Sequence, residues 1–278
     1  MQMSYDRYEI GFCAHWTDDD GEPQIRNFEF VQELLDNKIE EICEMVMADD
    51  EPTLYLTGDP KIYKRMKREG YDVPPKFEPN FREAVAVTKP YKGTRKGEKP
   101  FHFDNLTAYI LSNYDTKVAF GLEADDLMSI DQVASDTETI ICSRDKDLKI
   151  TQGWHFSWMC GKQPQWGPEE VDEIGEIELT SKGIKGTGLS FFYSQMLTGD
   201  AVDNIGGLKG VGPKKAFTLL EGCSTEAELY AAVSGAYEEK LGEHWKLMYR
   251  EQADLLWMIQ ELDIHGEPVR HKPYWERM

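Results

Sequence analysis

Four groups of acidic residues stand out by position: Asp59 in TGDP, Glu123, Asp125 and Asp126 in GLEADD, Asp145 and Asp147 in SRDKD, and Asp200 and Asp203 in TGDAVDN. Eight carboxylates brought to one place repel one another unless cations neutralise them. Oxygen ligands without accompanying histidine or cysteine suit Mg2+ or Mn2+ better than zinc. Two such ions about 4 Å apart clamp the attacking and leaving oxygens of a phosphodiester. A plain reading stands beside this one, because helix N-termini favour acids in any protein. Glu123 and Asp126, three apart at a helix start, share a face.

For these acids to meet, the elements carrying them must end at a common edge. TLYLT at 53–57, the apolar run at 118–120 and TIIC at 139–142 read as short strands separated by helical segments. That alternation predicts an α/β fold with a mainly parallel sheet flanked by helices. In such a sheet the strand ends share one edge, where ligands collect. Asn27 is placed to cap a helix whose apolar positions Val31, Leu34, Leu35, Ile39, Ile42 and Val46 recur with a 3.6-residue period. Residues 151–188, rich in glycine and tryptophan, give no clear pattern. From Leu189 onward the pattern is helical, interrupted at Gly206–Gly212. The expected division is an α/β domain over 1–187, with a basic insertion over about 61–103, and a smaller all-α domain over 188–278.

Two basic features accompany the acids. In IGGLKGVGPKKA, Gly206, Gly207, Gly210 and Gly212 precede Pro213, a residue suited to the first turn of a helix. Closely spaced glycines let backbone N–H groups approach a phosphate, and the helix dipole with Lys209, Lys214 and Lys215 adds charge. The spacing fits a helix-hairpin-helix; no Lys-Ser/Thr follows Gly212 and no strand precedes the glycines, so nucleotide-binding loops are excluded. The second feature, Lys89–Lys99, interleaves five bases with Tyr91, an aromatic able to stack on an unpaired base.

The 278 residues carry a formal charge of −20, from 51 acids against 31 bases. Overall acidity argues against nucleic acid, yet residues 61–100 hold 12 bases and 5 acids while residues 1–60 hold 3 and 16. No apolar run reaches the ~18 residues needed to span a bilayer, and the N-terminus lacks a signal-peptide core. Five cysteines without a CxxC pair fit reduced thiols and a cytoplasmic location.

Together these residues resemble the flap endonuclease and 5′–3′ exonuclease family, its bacteriophage members in particular. GLEADD, SRDKD, TGDAVDNIGGLKGVGPKKA and KPYKGTR occur in the family's order and approximate spacing, over about residues 50–220. The resemblance implies a PIN-like nuclease fold with a helix-hairpin-helix domain, acting at 5′ ends and flaps of nicked or branched duplex DNA, with RNA–DNA hybrids compatible. It implies a role in phage DNA replication or recombination, as a monomer, without a membrane partner. It places Asp59, Glu123, Asp125 and Asp126 at a first metal site and Asp145, Asp147, Asp200 and Asp203 at a second. The basic insertion resembles a helical arch in which Lys92 and Arg95 meet the scissile phosphate and Tyr91 stacks on a terminal base. The hairpin, through Gly207, Lys209, Gly210, Gly212, Lys214 and Lys215, resembles an element gripping duplex backbone, with a monovalent cation such as K+ held by its carbonyls.

One departure stands against this. The family opens with an apolar strand ending in a metal-binding aspartate, whereas this chain begins MQMSYDRYEIGF. Asp6 is the nearby candidate. A shortened start, the favoured expectation, leaves a gap in the sheet and an exposed edge; otherwise Asp6 substitutes or the first site is weakened. A structure-specific DNA-binding protein without cleavage is therefore the alternative. A PIN-like ribonuclease is a third reading, disfavoured by the duplex-gripping hairpin.

Overall fold

A computed structural model describes residues 1–3, 7–94 and 97–277. The chain opens with a two-residue strand β1 (Gln2–Met3), helix α1 (Arg7–Phe12) and a hairpin of β2 (His15–Thr17) and β3 (Pro23–Ile25). Then follow α2 (Phe28–Met45), β4 (Thr53–Thr57), α3 (Pro60–Glu69), α4 (Phe81–Val85), α5 (Phe103–Asn113), β5 (Thr116–Ala119), α6 (Ala124–Ala134) and β6 (Ile140–Cys142). Strands β7 (Gly153–Ser157), β8 (Trp166–Val171), β9 (Ile177–Thr180) and β10 (Gly183–Gly186) occupy the stretch that reads poorly in sequence. The helices α7 (Gly188–Thr198), α8 (Pro213–Leu220), α9 (Glu226–Leu241) and α10 (Trp245–Leu256) complete the main elements, and α11 (Tyr274–Arg277) ends the described chain.

The main sheet has the order β5-β4-β1-β6-β7-β8, parallel throughout except for β8. The expected gap is absent. Gln2 and Met3 pair with Thr53 and Leu54 on one side and Ile141 and Cys142 on the other, so two residues fill the central position. Asp6 lies outside the described residues. Alternation along β4 sends Leu54 and Leu56 into the cluster under α2, α3 and α5, and Tyr55 into the cluster under α6. As its periodicity predicts, α2 buries Val31, Leu35, Ile39 and Ile42, and Asn27 accepts from the Phe30 N–H at 3.2 Å. Each fully buried aliphatic side chain contributes roughly 1.5–3 kcal/mol.

A second large core forms around α7, where Phe192, Tyr193, Met196 and Leu197 are fully buried by α8, α9 and α10. A helix apolar on every side is a core helix. Past α10 the chain turns back, and Met258 and Ile259 pack against α6.

Candidate metal centre and nucleic-acid interface

Parallel strands β4, β5 and β6 deliver Asp59, the GLEADD acids and the SRDKD acids to one edge of the sheet. The loop after α7 brings Asp200 and Asp203 to the same place. Six of the eight predicted carboxylates, Glu123, Asp125, Asp145, Asp147, Asp200 and Asp203, line a single cleft there with Arg82, Tyr91 and Lys92. Local chemistry orients them. Glu123 caps α6. Asp145 accepts from the Asp147 N–H at 2.9 Å, and Asp200 accepts from the Val202 and Asp203 N–H groups.

Two lysines neutralise part of this charge. The Lys92 amine lies 2.5 Å from Glu123 and 3.8 Å from Asp203, and the Lys146 amine donates to Asp147 at 2.8 Å and Asp200 at 2.5 Å. Burial alone would raise the Asp200 pKa, but Lys146 and the two backbone donors hold it below the ordinary value. At Asp125 the nearby Lys92 charge is outweighed. Burial, then the charges of Asp145 and Glu123, push it well above the usual carboxylate range. Its Oδ1 is shut off from solvent and has no hydrogen-bond partner among the described residues. Asp145 keeps solvent contact at the mouth, yet the surrounding protein and then the Asp147 charge push it up to about 6.

An orphaned carboxylate oxygen amid mutually repelling, all-oxygen donors fits a hard divalent cation. The ligand geometry is not preformed: among the described residues no three His, Cys, Asp or Glu side chains are drawn together as metal ligands. The amines occupy the space between the carboxylates, leaving about 30 Å3, room for one or two water-sized species.

Two predicted metal ligands are used otherwise. Asp126 is fully buried and clasped by Arg82 through two bonds of 2.7 and 2.8 Å, and it also accepts from the Ile259 and Glu123 N–H groups. The helix turn that puts it three residues from Glu123 points it into the protein, where it forms a capping box. Asp59 stands off the cleft as the N-cap of α3, accepting from the Lys61 and Ile62 N–H groups and from Lys99. Those contacts outweigh burial and lower its pKa.

Within the basic insertion expected over about 61–103, α3 and α4 are helical, described residues 86–94 and 97–102 form no helix, and Arg95 lies outside the described residues. Lys92 reaches the cleft with a left-handed backbone, φ 51°. Tyr91 does not present its ring for stacking. The ring packs against the core around α7, and the hydroxyl donates to Glu123 at 3.2 Å and Asp203 at 3.1 Å.

The glycine hairpin joins α7 to α8. Leu208, Val211 and Ala216 are buried, while Lys209, Gly210, Gly212, Lys214 and Lys215 are exposed beside the N-terminus of α8. Gly207 has a different task from the predicted one. At φ +58° it crosses Gly199 so closely that a Cβ would lie 2.3 Å from the Gly199 nitrogen, and its N–H donates to Gln252. Sequence reasoning missed Arg82, which has no motif around it, and Lys146, whose place between Asp145 and Asp147 was the available signal.

A parallel sheet with acids gathered at its strand ends, followed by a helical hairpin element, defines a PIN-like, 5′–3′ exonuclease type of fold. The T5 D15 protein co-crystallised with metal ions shares it, with a TM-score of 0.54 and 15% identity over 92% of this chain and 89% of that one. The T5 D15 flap endonuclease in a pseudo-enzyme–product complex with DNA and metal ions aligns over the same shares at 0.50. At this identity the likeness establishes the fold. In sequence, the chain is 30% identical over 162 residues to DNA polymerase I of Deinococcus radiodurans, covering 55% of this chain and 16% of that protein. It is 32% identical over 119 residues to the 5′–3′ exonuclease of Mycoplasma pneumoniae, covering 40% of this chain and 38% of that protein. The matched regions thus span well under half of either relative. No family model matches. The resemblance read from the motifs therefore holds in sequence to a 5′–3′ exonuclease and in fold to the T5 D15 protein. Among the described residues no helix is long and apolar enough to cross a membrane.

Proposed function

We propose that this chain is a 5′–3′ exonuclease and 5′-flap endonuclease of the bacteriophage type, hydrolysing DNA phosphodiester bonds with two Mg2+ or Mn2+ ions. The observation that carries the reading is the convergence of six carboxylates, from β5, β6 and the loop after α7, in one cleft beside an exposed glycine–lysine hairpin. Glu123, Asp125, Asp145, Asp147, Asp200 and Asp203 would hold the ions, with Asp59 and Asp126 outside that set. When bound, such ions supply Lewis acidity toward phosphate and acidify water.

The chain's own residues supply the rest. The Lys92 amine, held on Glu123 and Asp203, is placed to move onto a phosphate entering the cleft. Tyr91 keeps two of the carboxylates in register from below. Exposed N–H groups and lysines of the hairpin bind duplex backbone without reading bases, and the hairpin carbonyls are the proposed seat of K+. Acidic surface elsewhere confines DNA to these basic elements. The duplex-binding hairpin lies after the proposed division near residue 188, while the cleft draws on both sides of it, Glu123, Asp125, Asp145 and Asp147 before and Asp200 and Asp203 after.

Asp145→Ala combined with Asp147→Ala should abolish Mg2+-dependent cleavage of a 5′-flap substrate while DNA binding persists; undiminished cleavage by the double variant would falsify the assignment. Comparing 5′-labelled DNA duplex with RNA–DNA hybrid separates primer removal from purely DNA substrates. The binding-only reading draws on Asp59 and Asp126 being engaged elsewhere, and any Mn2+-dependent product from flap DNA excludes it.

A further inference from the structure

Residues 87–92 form an irregular strap that reaches the cleft at Tyr91 and Lys92. Its far end is fixed to the carboxylate loop, where the Lys92 N–H donates to the Asp203 carbonyl at 3.0 Å and the Asn204 side chain donates to the Pro90 carbonyl at 2.9 Å. Its near end meets α10. Glu251 Oε1 accepts from the Val87 and Thr88 N–H groups at 2.8 and 2.6 Å, and Oε2 accepts from the Thr88 hydroxyl at 2.6 Å. Val85 and Ala86 just before this point pack against the core around α7, but Val87 is 84% exposed and Thr88 is exposed as well, so at these two residues the carboxylate bonds dominate over packing. One carboxylate therefore satisfies three donors and stands as the anchor of the strap's start. Bonds from backbone N–H and hydroxyl groups to an ionised carboxylate are short and strong compared with neutral ones.

The far end of the strap holds an uncommon backbone conformation. Lys92 sits in the left-handed region, a conformation a non-glycine residue keeps only when its surroundings over-determine it. From that conformation its amine reaches Glu123 while its N–H reaches Asp203. We infer that Glu251 is a positioning residue: anchoring Val87 and Thr88, it sets where Tyr91 and Lys92 stand against the carboxylates. Glu251 lies on α10, outside the cleft lining and distant in sequence from every acidic motif. This inference rests on the nuclease reading for its catalytic consequence, but the anchor itself is independent of it.

Two readouts on Glu251→Ala and Glu251→Gln test it. Glutamine keeps an acceptor for the two N–H groups and offers its amide to the Thr88 oxygen, so it should rescue; alanine removes all three bonds. Tryptic cleavage after Lys92 should be at least tenfold faster in Glu251→Ala and within twofold of the parent in Glu251→Gln, with unchanged melting temperatures. On a 5′-flap with Mg2+, kcat should fall at least tenfold in Glu251→Ala with KM altered less than threefold, because the hairpin that grips duplex is untouched. Unchanged proteolysis in Glu251→Ala overturns the anchor. Faster proteolysis with kcat preserved overturns the positioning role while leaving the nuclease reading intact. Absence of cleavage by the parent chain overturns the nuclease reading and the catalytic role together, whatever the proteolysis shows.

Discussion

Arg82 and Asp126 form a bidentate ion pair excluded from solvent, with side-chain exposures of 3% and 0%. Arg82 also donates to the carbonyls of Leu255 and Trp257, and Asp126 accepts from the Ile259 N–H, so the pair ties α4, α6 and the returning C-terminal segment together. Removing one partner strands a buried charge, which costs about 3–5 kcal/mol. Arg82→Ala and Asp126→Ala should each lose about that much stability in chemical unfolding. An Asp126 variant that unfolds like the parent yet loses metal binding would return this residue to the ligand set.

Asp125 should behave in the opposite way. Its orphaned oxygen and the charges of Asp145 and Glu123 make its ionised form unwelcome in the metal-free protein. Asp125→Asn should melt at the same or a higher temperature without metal, while flap cleavage falls on the order of 10²-fold or more. A calorimetric scan beside a cleavage assay checks both halves. A clear loss of metal-free stability would show that the ionised carboxylate is instead well accommodated.

Divalent cations should stabilise the fold. A ligand at one hundred times its Kd adds about 2.7 kcal/mol, so the melting temperature should rise on titrating Mn2+ and return with chelator. Lys146 is half exposed and sits on Asp147 and Asp200, where it competes with an incoming cation. Lys146→Gln should therefore be less stable than the parent without metal and gain more from Mn2+. An equal or smaller gain in that variant would show that the lysine does not compete.

The hairpin lysines should control salt dependence. Lys209, Lys214 and Lys215 are exposed around the start of α8. Replacing all three with alanine should weaken duplex binding uniformly across sequences. The slope of log affinity against log salt should shrink by up to about 0.9 for each phosphate no longer neutralised. Fluorescence anisotropy at several salt concentrations measures it, and an unchanged slope would place the duplex elsewhere.

Stability should also depend on pH through His155. Its ring is buried in β7, with Nε2 2.8 Å from the Thr151 carbonyl, and burial pushes its pKa down to about 4 from 6.5. The unfolded chain takes up a proton below about pH 6.5 that the folded protein refuses. This contribution is complete above pH 6.5 and is lost as pH falls toward 4, amounting to about 3 kcal/mol. Unfolding of the parent and His155→Gln across that window should show a shallower slope in the variant.

The sequence alone determined the alternation of strands and helices, the capping of α2 by Asn27 and the four acidic groups at element ends. Those are local or periodic properties, set by neighbours within a few residues, and therefore readable along the chain. The glycine hairpin was legible for the same reason. Tertiary structure decided which acids face one another. Asp126 and Asp125 are adjacent in sequence, but one helical step sends one to Arg82 and the other to the cleft. Arg82, Glu251 and Lys146 act through partners as many as 175 residues away, and no spacing rule announces such contacts. The first strand shows the same division: two residues look too few to be a strand, and become one because β4 and β6 present unpaired backbone on both sides. Residue type set what chemistry was on offer, and the crossing of distant segments set which groups perform it.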